Sequence, residues 1–404
     1  MEKATNQQTR PLCERLPPLI LGTATFNTQY VADPLQMPYR RIVSRALELG
    51  VTAFDTSPYY GPSEVLLGDA LAAAQEATGV SRESYCIITK AGRIAPRAFD
   101  YSPAHIRSSV RHSLERLHTP YLDLVYLHDV EFVSPREVLD AVAELRRIPQ
   151  VRAVGISGFP VLVLCDLAET VLRETGTPLD AVLSYGHFTV QNCSLARAEV
   201  MGVVDNNGSS RSPVRRLRAA GVDVVLNASM LNMGLLTSTG IPPDPEAASG
   251  GSPLAKWHPS PPALRVACKT LADKAAAAGE RLEAVAIRWS LYEWARVGAL
   301  AGVGIQLPSS LQGATTTKTV GGSVMGVTSV EELEETVCEW EGVLEALDSP
   351  NGAALPSGSG DRIRRTVRLV REVLWPALGK WQDYSWASPE PGFVNERAVQ
   401  RSSI

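Results

Sequence analysis

Residues 50–61 read Gly-Val-Thr-Ala-Phe-Asp-Thr-Ser-Pro-Tyr-Tyr-Gly. The leading glycine ends an amphipathic helix predicted over Tyr39–Leu49. The run Val51–Asp55 that follows is short and apolar and contains β-branched and aromatic residues, which is typical of a buried strand. A second helix is predicted over Ser63–Ala77. This stretch therefore predicts a helix–strand–helix unit.

The same alternation recurs along most of the chain. The predicted strands are Leu19–Phe26, Val51–Asp55, Tyr85–Ala91, Leu122–His128, Val151–Ser157, Ala181–Tyr185, Val222–Ala228 and Thr319–Val324. Each is followed by a helical pattern, at intervals of roughly 30–40 residues, and such spacing predicts a parallel sheet with helical crossovers.

A closed eight-stranded barrel and an open doubly wound sheet both satisfy this alternation. An open dinucleotide-binding sheet should carry Gly-x-Gly-x-x-Gly after its first strand. Here the first strand leads into Gly22-Thr23-Ala24-Thr25-Phe26, which lacks that spacing. We therefore predict an α/β fold, a (β/α)8 TIM barrel with long surface insertions and a C-terminal helical extension.

The barrel is predicted to span 17–347, after a flexible N-terminus at 1–16 and before a linker, helix and tail at 348–404. The helix of that extension is predicted over Arg362–Leu374. Three polar or Pro/Gly/Ser-rich segments interrupt the rhythm, namely 205–213, 240–262 and 349–360. Such segments are usually solvated surface loops. The segment 240–262 follows the seventh strand, where a lid over the barrel mouth is the alternative to a plain surface loop.

Composition excludes several classes of protein. A net charge of −4 gives no broad basic field for nucleic acid or anionic membrane. No apolar run is long enough to cross a bilayer, and the polar N-terminus has no signal-peptide core. The six cysteines contain no Cys-x-x-Cys and the six histidines show no metal spacing, so we expect reduced thiols and no metal site. We expect a cytoplasmic protein whose partner is a small molecule, with the oligomeric state open.

Four polar residues stand at or just beyond the ends of the early strands: Asp55, Tyr60, Lys90 and His128. Singly, each has an ordinary structural interpretation, such as a helix cap, a packed phenol or a satisfied polar group. Parallel strands, however, present their carboxyl ends on one face. An acid, a phenol, an ammonium and an imidazole are therefore expected to converge at one mouth.

The lysine gives this set a chemical interpretation. An unpaired buried ammonium is costly, so Lys90 needs an anion, and Asp55 from the neighbouring strand is the obvious candidate. A cation beside Tyr60 should lower the pKa of its phenol, and a shift of two units is worth roughly 2.7 kcal/mol. Tyr60 is then the expected general acid or base, and His128 the donor or acceptor for the same substrate oxygen.

The segments that carry these residues resemble the signature of the aldo-keto reductases. They are Phe54–Gly61 with Glu64 and Leu67-Gly68, Ile88–Lys90, and Asp123–His128. The resemblance covers roughly residues 17–345. It implies an eight-stranded barrel that binds NAD(P) in extended form, and hydride transfer between nicotinamide and a carbonyl or alcohol with Tyr60 as proton donor or acceptor.

A narrower resemblance is to the aldose-dehydrogenating branch, which includes L-galactose dehydrogenases and fungal NAD-linked D-arabinose 1-dehydrogenases. The segments concerned are Leu127–Phe132, Gly155–Gly158, Ser184–Phe188, Asn227–Leu236 and Trp381–Pro389. This branch implies oxidation of a free aldose, resembling D-arabinose, at C1 to the aldonolactone.

The resemblance also implies cofactor contacts. Most family members have Ser-Asn after strand five, where both side chains hold the nicotinamide carboxamide, whereas this chain has Ser157 and Gly158 and so lacks one donor. Ala228 stands where an aromatic commonly stacks on the nicotinamide. Backbone N–H groups after strand seven are expected to meet the pyrophosphate, and the residues concerned are Ser229, Leu231, Gly234 and Leu235.

The adenosine is expected near Gly326, Thr328 and Glu335. Thr328 falls where arginine often pairs with the 2′-phosphate of NADP, and without that fork a phosphate loses its charge-assisted contacts. Glu331, Glu332 and Glu335 would repel it further. The sequence therefore predicts NAD as the preferred cofactor, with NADP possible.

Two alternatives stay open at the sequence level. One is an NAD(P)H-dependent reductase of aldehydes or ketones in secondary metabolism, because the same proton transfer is reversible. The other is a nicotinamide-binding regulatory barrel with little turnover, because such barrels also carry the four residues. The sugar itself is set by mouth loops, which the sequence does not interpret.

Overall fold

The structure, a computed structural model, describes residues 10–203, 212–242, 253–307, 318–348 and 358–397. Three expected surface segments therefore lie partly outside the described residues. These are 205–213, of which only 212–213 are described, 240–262 without 243–252, and 349–360 without 349–357.

Eight parallel strands close into a barrel, as the sequence predicted. They are β1 Leu19–Gly22, β2 Ala53–Asp55, β3 Cys86–Ala91, β4 Leu124–His128, β5 Val154–Gly158, β6 Ala181–Tyr185, β7 Val224–Ala228 and β8 Gly322–Gly326. Each strand pairs with its neighbours in sequence, and β1 closes the ring against β8 with Leu19 opposite Ser323. The predicted TIM barrel is confirmed.

Side chains inside the barrel form one compact cluster. Its members from the central strands include Ala53, Ile88, Leu124 and Tyr126, all fully buried. Because successive side chains of a strand alternate between its faces, residues two positions further along point the same way. Asp55, Lys90 and His128 stand two positions beyond Ala53, Ile88 and Tyr126, so the chemistry lies at the C-terminal mouth of the barrel.

The helices surround the strands. Their bounds are α1 Tyr39–Glu48, α2 Ser63–Thr78, α3 Pro103–Arg116, α4 Pro135–Leu145, α5 Val161–Thr175, α6 Pro213–Ala219, α7 Pro262–Ala277, α8 Leu282–Ala301, α9 Val330–Asp348 and α10 Ser359–Leu369. Local signals fix several ends. Ser102 and Ser134 cap α3 and α4 with a proline following each, and left-handed Gly79 ends α2.

The last strand differs from the sequence prediction. The expected strand Thr319–Val324 is two elements: Thr319–Val320 pairs antiparallel with Ile305–Gln306, and the barrel strand begins only at Gly322. Gly321 separates them because the chain crosses helix α8 there. A Cβ on Gly321 would lie 2.2 Å from the Trp294 carbonyl oxygen, so only glycine allows this crossing.

The N-terminal segment also differs from the expected flexible 1–16. Residues Leu12–Arg15 form one helical turn, and Leu12 and Leu16 are buried against the inner cluster of the barrel. The Cys86 thiol, in β3, donates to the Arg15 carbonyl at 3.6 Å. This turn closes the barrel at the end opposite the mouth. Residues 1–9 lie outside the described part.

After α10 the chain continues through a π-helical turn, Val370–Leu374, into Trp375–Leu378. The sequence expected one helix over Arg362–Leu374. Within the described residues, no helix is long and apolar enough to span a bilayer.

Gly68, in the middle of α2, offers a test of this packing. A Cβ there would lie 2.2 Å from the Arg116 carbonyl oxygen at the end of α3, so Gly68→Ala should lower the free energy of unfolding by about 1–3 kcal/mol, the usual cost of overpacking. The matched control is Gly342→Ala in α9, where the added carbon meets only the Ser359 side chain at 3.5 Å. That variant should gain up to about 1 kcal/mol, since alanine favours a helix over glycine. Urea unfolding of both would decide, and equal effects would contradict the packing described.

Candidate active site

The four residues expected at the mouth are brought together there. Asp55 ends β2, Lys90 lies near the end of β3, and His128 ends β4. Tyr60 lies in the loop between β2 and α2, which turns back over the mouth through Gly61 with a positive φ of 58°. Three neighbouring strands and one loop therefore deliver an acid, an amine, an imidazole and a phenol to one place.

Lys90 and Asp55 form a buried ion pair. The Lys90 Nζ atom donates to Asp55 Oδ1 at 2.5 Å and to the Thr56 carbonyl at 2.9 Å. The side chains are only 2% and 5% exposed. Burial raises the pKa of Asp55, and the Lys90 ammonium partly offsets this rise. The second oxygen, Oδ2, is buried without a hydrogen-bond partner among the described residues.

Tyr60 lies directly beside this pair. The Lys90 ammonium is 4.8 Å from the centre of the Tyr60 ring, and the His128 ring stands perpendicular to it at a centroid distance of 5.6 Å. We expected Lys90 to lower the pKa of the phenol, but the structure gives the opposite direction. Burial raises the pKa of Tyr60 well above its usual value, and the carboxylates of Asp55 and Asp129 raise it further. Any stabilisation of the phenolate by the Lys90 ammonium does not outweigh these contributions.

His128 is held as a neutral imidazole. Burial lowers its pKa well below the usual value, and the cations Lys90 and Arg93 lower it further. Its Nδ1 lies 3.0 Å from Ser57 Oγ, which itself accepts the Tyr59 N–H at 3.1 Å. The other ring nitrogen, Nε2, lies 3.8 Å from the Asp129 carboxylate, so we assign the ring hydrogen to Nε2, and the serine hydroxyl then donates to Nδ1. The imidazole can then donate a hydrogen bond into the mouth.

The residues expected to hold the nicotinamide lie at the end of β5. Ser157 is opposite His128 in the parallel register, and its hydroxyl reaches the Leu127 carbonyl at 3.3 Å. Gly158 follows on the outer face of the strand, where a Cβ would lie 2.6 Å from Glu131 Oε2. The space next to Gly158 is therefore filled by a carboxyl group from the neighbouring loop.

The loop after β7 has an unusual backbone. Ser229, Asn232 and Met233 all have positive φ angles between 47° and 60°, a region that non-glycine residues seldom occupy. Such strain is commonly stored at ligand sites. Gly234 continues the loop with a φ of 99°.

The loop corrects part of the pyrophosphate expectation. The N–H groups of Gly234 and Leu235 donate to Leu231 O at 3.1 Å and Asn232 O at 3.3 Å. These two residues therefore shape the loop and do not present free donors. The expectation stays a prediction for Ser229 and for the N–H of Leu231.

The expected adenosine loop follows β8. Gly326 is exposed, and the N–H and hydroxyl of Thr328 both donate to Glu332, at 2.7 and 3.0 Å. Glu335 forms a surface ion pair with Arg281 at 2.6 Å, which offsets part of its repulsion of a phosphate. Glu332 acts by accepting the two hydrogen bonds of Thr328, which holds the loop. Within the described residues, no group of histidine, cysteine or acidic side chains could hold a metal ion.

The chain was compared with models of known protein families. The model of the aldo/keto reductase family matches residues 18–348, which is most of the chain. The chain belongs to the aldo/keto reductase family. The resemblance read from the sequence is therefore confirmed, and with it an oxidoreductase family whose members use NAD(P)(H).

Two similar relatives of this family member are aldose dehydrogenases. The chain is 35% identical over 351 residues to D-arabinose 1-dehydrogenase of Saccharomyces cerevisiae, which covers 86% of this chain and 88% of that protein. It is 33% identical to L-galactose dehydrogenase of Arabidopsis thaliana, covering 75% and 83%. A glycerol dehydrogenase from Gluconobacter oxydans shares the fold with a TM-score of 0.51 and 19% identity, covering 94% of this chain and 95% of that one.

A second charged group, the ion pair of Asp129 and Arg93, lies next to the tetrad, and Arg93 was not assigned from the sequence. Asp129 follows His128 with a positive φ of 57°, is 1% exposed, and is ion-paired with Arg93. Its Oδ2 lies 3.8 Å from His128 Nε2. Arg93 also stacks on the Tyr59 ring at 3.8 Å, and the Tyr185 hydroxyl donates to Asp129 at 3.4 Å. Two sequence features could have pointed to this pair: an acid, Asp129, directly follows His128, and an arginine, Arg93, stands three residues after Lys90.

The C-terminal tail, which we define as residues 379–397, forms one wall of the mouth. Trp386 stacks on Phe159 beyond β5 at 4.6 Å, and the neighbouring Ser385 hydroxyl lies 3.1 Å from His187 Nε2. Phe393 packs against Phe132 after β4 at 4.8 Å. The sequence showed only a resemblance in Trp381–Pro389, because contacts so distant along the chain leave no local pattern.

The Asp55–Lys90 pair supplies a prediction about stability. Lys90→Met leaves the carboxylate of Asp55 buried without its cation, which should cost about 3–5 kcal/mol of unfolding free energy. The control is the double variant Asp55→Leu/Lys90→Met, in which both charges are gone and most of that loss should be recovered. Chemical denaturation of the three proteins measures this. A double variant as unstable as the single one would show that the charges are not coupled.

Proposed function

We propose that this enzyme oxidises a free aldose of the D-arabinose class at C1 to the aldonolactone, with NAD as hydride acceptor. The observation that carries the proposal is the perpendicular contact of Tyr60 and His128 at 5.6 Å, backed by the buried Lys90 ammonium. One substrate oxygen can meet both rings. The two aldose dehydrogenases that share about a third of their residues with this chain support a sugar as substrate.

The surroundings of His128 also favour a polyhydroxylated substrate. Arg93 and Asp129 place an ion pair against the imidazole, and the Arg93 Nε atom is buried without a hydrogen-bond partner among the described residues. Buried polar groups of this kind discriminate strongly against ligands that cannot bond to them. A sugar has hydroxyl groups for this purpose, whereas a simple alkyl carbonyl does not.

Each of the four mouth residues has a separate role in this reaction. His128 Nε2–H donates to the oxygen on C1 and orients it. Tyr60, as phenolate, accepts the proton of that hydroxyl, and as phenol returns it in the reverse direction. Lys90 steadies the phenolate when it forms, and Asp55 fixes the ammonium. A bound nicotinamide would supply the hydride acceptor for C1.

The described residues fit a dinucleotide along the rim from β5 to β8. Ser157 offers a hydroxyl beside His128 in the strand register. The strained loop after β7 presents Ser229 and Leu231, and Gly326 to Thr328 lead into helix α9, whose N-terminal end favours negative charge. These residues would hold the cofactor.

A reductive role is the second candidate, and one observation favours it. The raised pKa of Tyr60 keeps the phenol protonated at neutral pH, which is the form that acts as a general acid on a carbonyl. The same site would then reduce an aldehyde or ketone with NAD(P)H.

Initial rates separate these functions. We expect a panel of pentoses and hexoses with NAD to give turnover, followed through the absorbance of NADH, and aldehydes or ketones with NADPH to give less. Faster turnover of the carbonyl panel would favour the reductase. Cofactor binding without turnover on either panel would favour a regulatory barrel.

Tyr60→Phe removes the hydroxyl and keeps the ring. We expect kcat to fall by at least ~10²-fold, the lower range for general acid–base catalysis, with the thermal midpoint almost unchanged. Tyr59→Phe is the matched control, since its hydroxyl bonds to Arg93 at 3.1 Å rather than standing over Lys90. It should lose much less. A folded Tyr60→Phe enzyme with near-normal kcat would remove the proposed role.

Cofactor preference is tested at Thr328. Its donors are used by Glu332, and the first turns of α9 carry four acidic residues, Glu331, Glu332, Glu334 and Glu335. We therefore expect kcat/KM to be at least about tenfold higher with NAD than with NADP. Thr328→Arg should narrow that ratio by supplying a phosphate partner. Glu341→Gln makes the same change in net charge further along α9 and should leave the ratio as it was. Comparable efficiencies with both cofactors in the unaltered enzyme would contradict the preference.

A further inference from the structure

Glu131 is a partly buried acid that the tetrad does not use. It lies in the 3₁₀ turn Val130–Phe132 directly after β4. Its Oε1 accepts the Phe159 N–H at 3.2 Å and the Ser388 hydroxyl of the C-terminal tail at 2.9 Å. Its Oε2 is buried and has no hydrogen-bond partner among the described residues. Oε1 therefore accepts two hydrogen bonds, whereas Oε2 makes none among the described residues.

The free oxygen lies against Gly158 at the end of β5. A Cβ on Gly158 would be 2.6 Å from Oε2, while the next atoms, from Leu164 and Val130, are 3.3 and 3.5 Å away. Gly158 belongs to a regular strand and has no positive φ, so its backbone does not require glycine. The carboxyl of Glu131 takes up the space that a side chain at residue 158 would enter first. Glu131 thus places a polar group where residue 158 would otherwise supply one.

The protonation of Glu131 matches this geometry. Burial raises its pKa to about 8, and the nearby Asp129 carboxylate contributes to the rise. The carboxyl therefore holds a proton at neutral pH. Both fixed donors reach Oε1, so Oε1 is the carbonyl oxygen and the hydrogen belongs on Oε2. Oε2–H is then an unused donor at the rim between β4 and β5.

We propose that Glu131 is a cofactor-binding residue whose Oε2 hydroxyl donates to the carboxamide of the bound nicotinamide. The inference rests on the proposed function, because the nicotinamide must lie beside Tyr60 and His128 to exchange hydride with the substrate. His128 and Ser157 are register partners on β4 and β5, so the ring reaches this rim. A carboxamide has an acceptor oxygen and an N–H donor in one plane, so it can accept from the Glu131 acid and donate to the Ser157 hydroxyl oxygen, whose own hydrogen is used by the Leu127 carbonyl.

The C-terminal tail takes part in this arrangement. Ser388 fixes Oε1, and Trp386 stacks on Phe159, whose N–H holds the same oxygen. The tail thereby orients the carboxyl so that Oε2 faces Gly158. Ser388 is a positioning residue for Glu131 in this scheme.

The test measures binding rather than turnover. Dissociation constants are determined calorimetrically for NADH and for ADP-ribose, which lacks the nicotinamide. Glu131→Ala should weaken NADH binding by about tenfold, the upper range for one hydrogen bond, and change ADP-ribose binding by less than about twofold. Glu131→Gln keeps a neutral donor and should bind NADH within about threefold of the parent.

A rescue variant makes the test specific. In Glu131→Ala/Gly158→Asn the space emptied at residue 131 accepts an asparagine side chain at 158, and most of the NADH affinity should return. If Glu131→Ala does not fold, Glu131→Met keeps the volume without the donor and should show the same loss for NADH alone.

Two results would overturn the inference while leaving the proposed function intact. One is unchanged NADH affinity in a folded Glu131→Ala or Glu131→Met protein. The other is an equal loss for NADH and ADP-ribose, which indicates a structural role. If the unaltered protein binds neither ligand, the proposed function fails and the inference fails with it.

Discussion

The buried ion pair between Asp55 and Lys90 is the interaction on which the active site depends. Two charges withdrawn from water are costly, and the cost is offset only when each finds a close partner. The partners come from β2 and β3, so the pair forms only when these strands lie side by side in register. Once formed, it fixes the ammonium beneath Tyr60 and beside His128. The barrel thus fixes the positions of these side chains, and the ion pair sets the charges around Tyr60 and His128.

The same mouth contains several buried polar atoms whose hydrogen bonds the described residues do not complete. They include Asp55 Oδ2, Arg93 Nε and Glu131 Oε2. Buried polar atoms in folded proteins are usually paired, because an unpaired atom loses its water without compensation. Three such atoms around one opening should lower the free energy of unfolding of the protein without ligand. A ligand that completes these bonds regains it, which couples stability to binding.

Local chemistry predicted the barrel well but not its irregular parts. Strand and helix patterns such as Val51–Asp55 and Ser63–Ala77 reflect which side chains face the core, and that information is carried by neighbouring residues. The expected strand Thr319–Val324 failed because Gly321 must cross α8 at close range, a constraint set by a helix some thirty residues away. The N-terminal turn at Leu12–Arg15 was missed for a similar reason, since it becomes ordered only against the completed barrel.

The sequence alone determined the family, the barrel and the four residues at its mouth, because strand ends in a parallel barrel share one face whatever the loops do. Only the tertiary structure decided how those residues behave. The pKa of Tyr60 is raised rather than lowered, because burial penalises the phenolate and the carboxylates of Asp55 and Asp129 oppose it. Likewise the space beside Gly158, at the end of β5, is filled by Glu131 from the turn after β4, and no local pattern encodes that contact. Burial and charge compensation depend on everything that surrounds a group, and that is fixed only when the chain has folded.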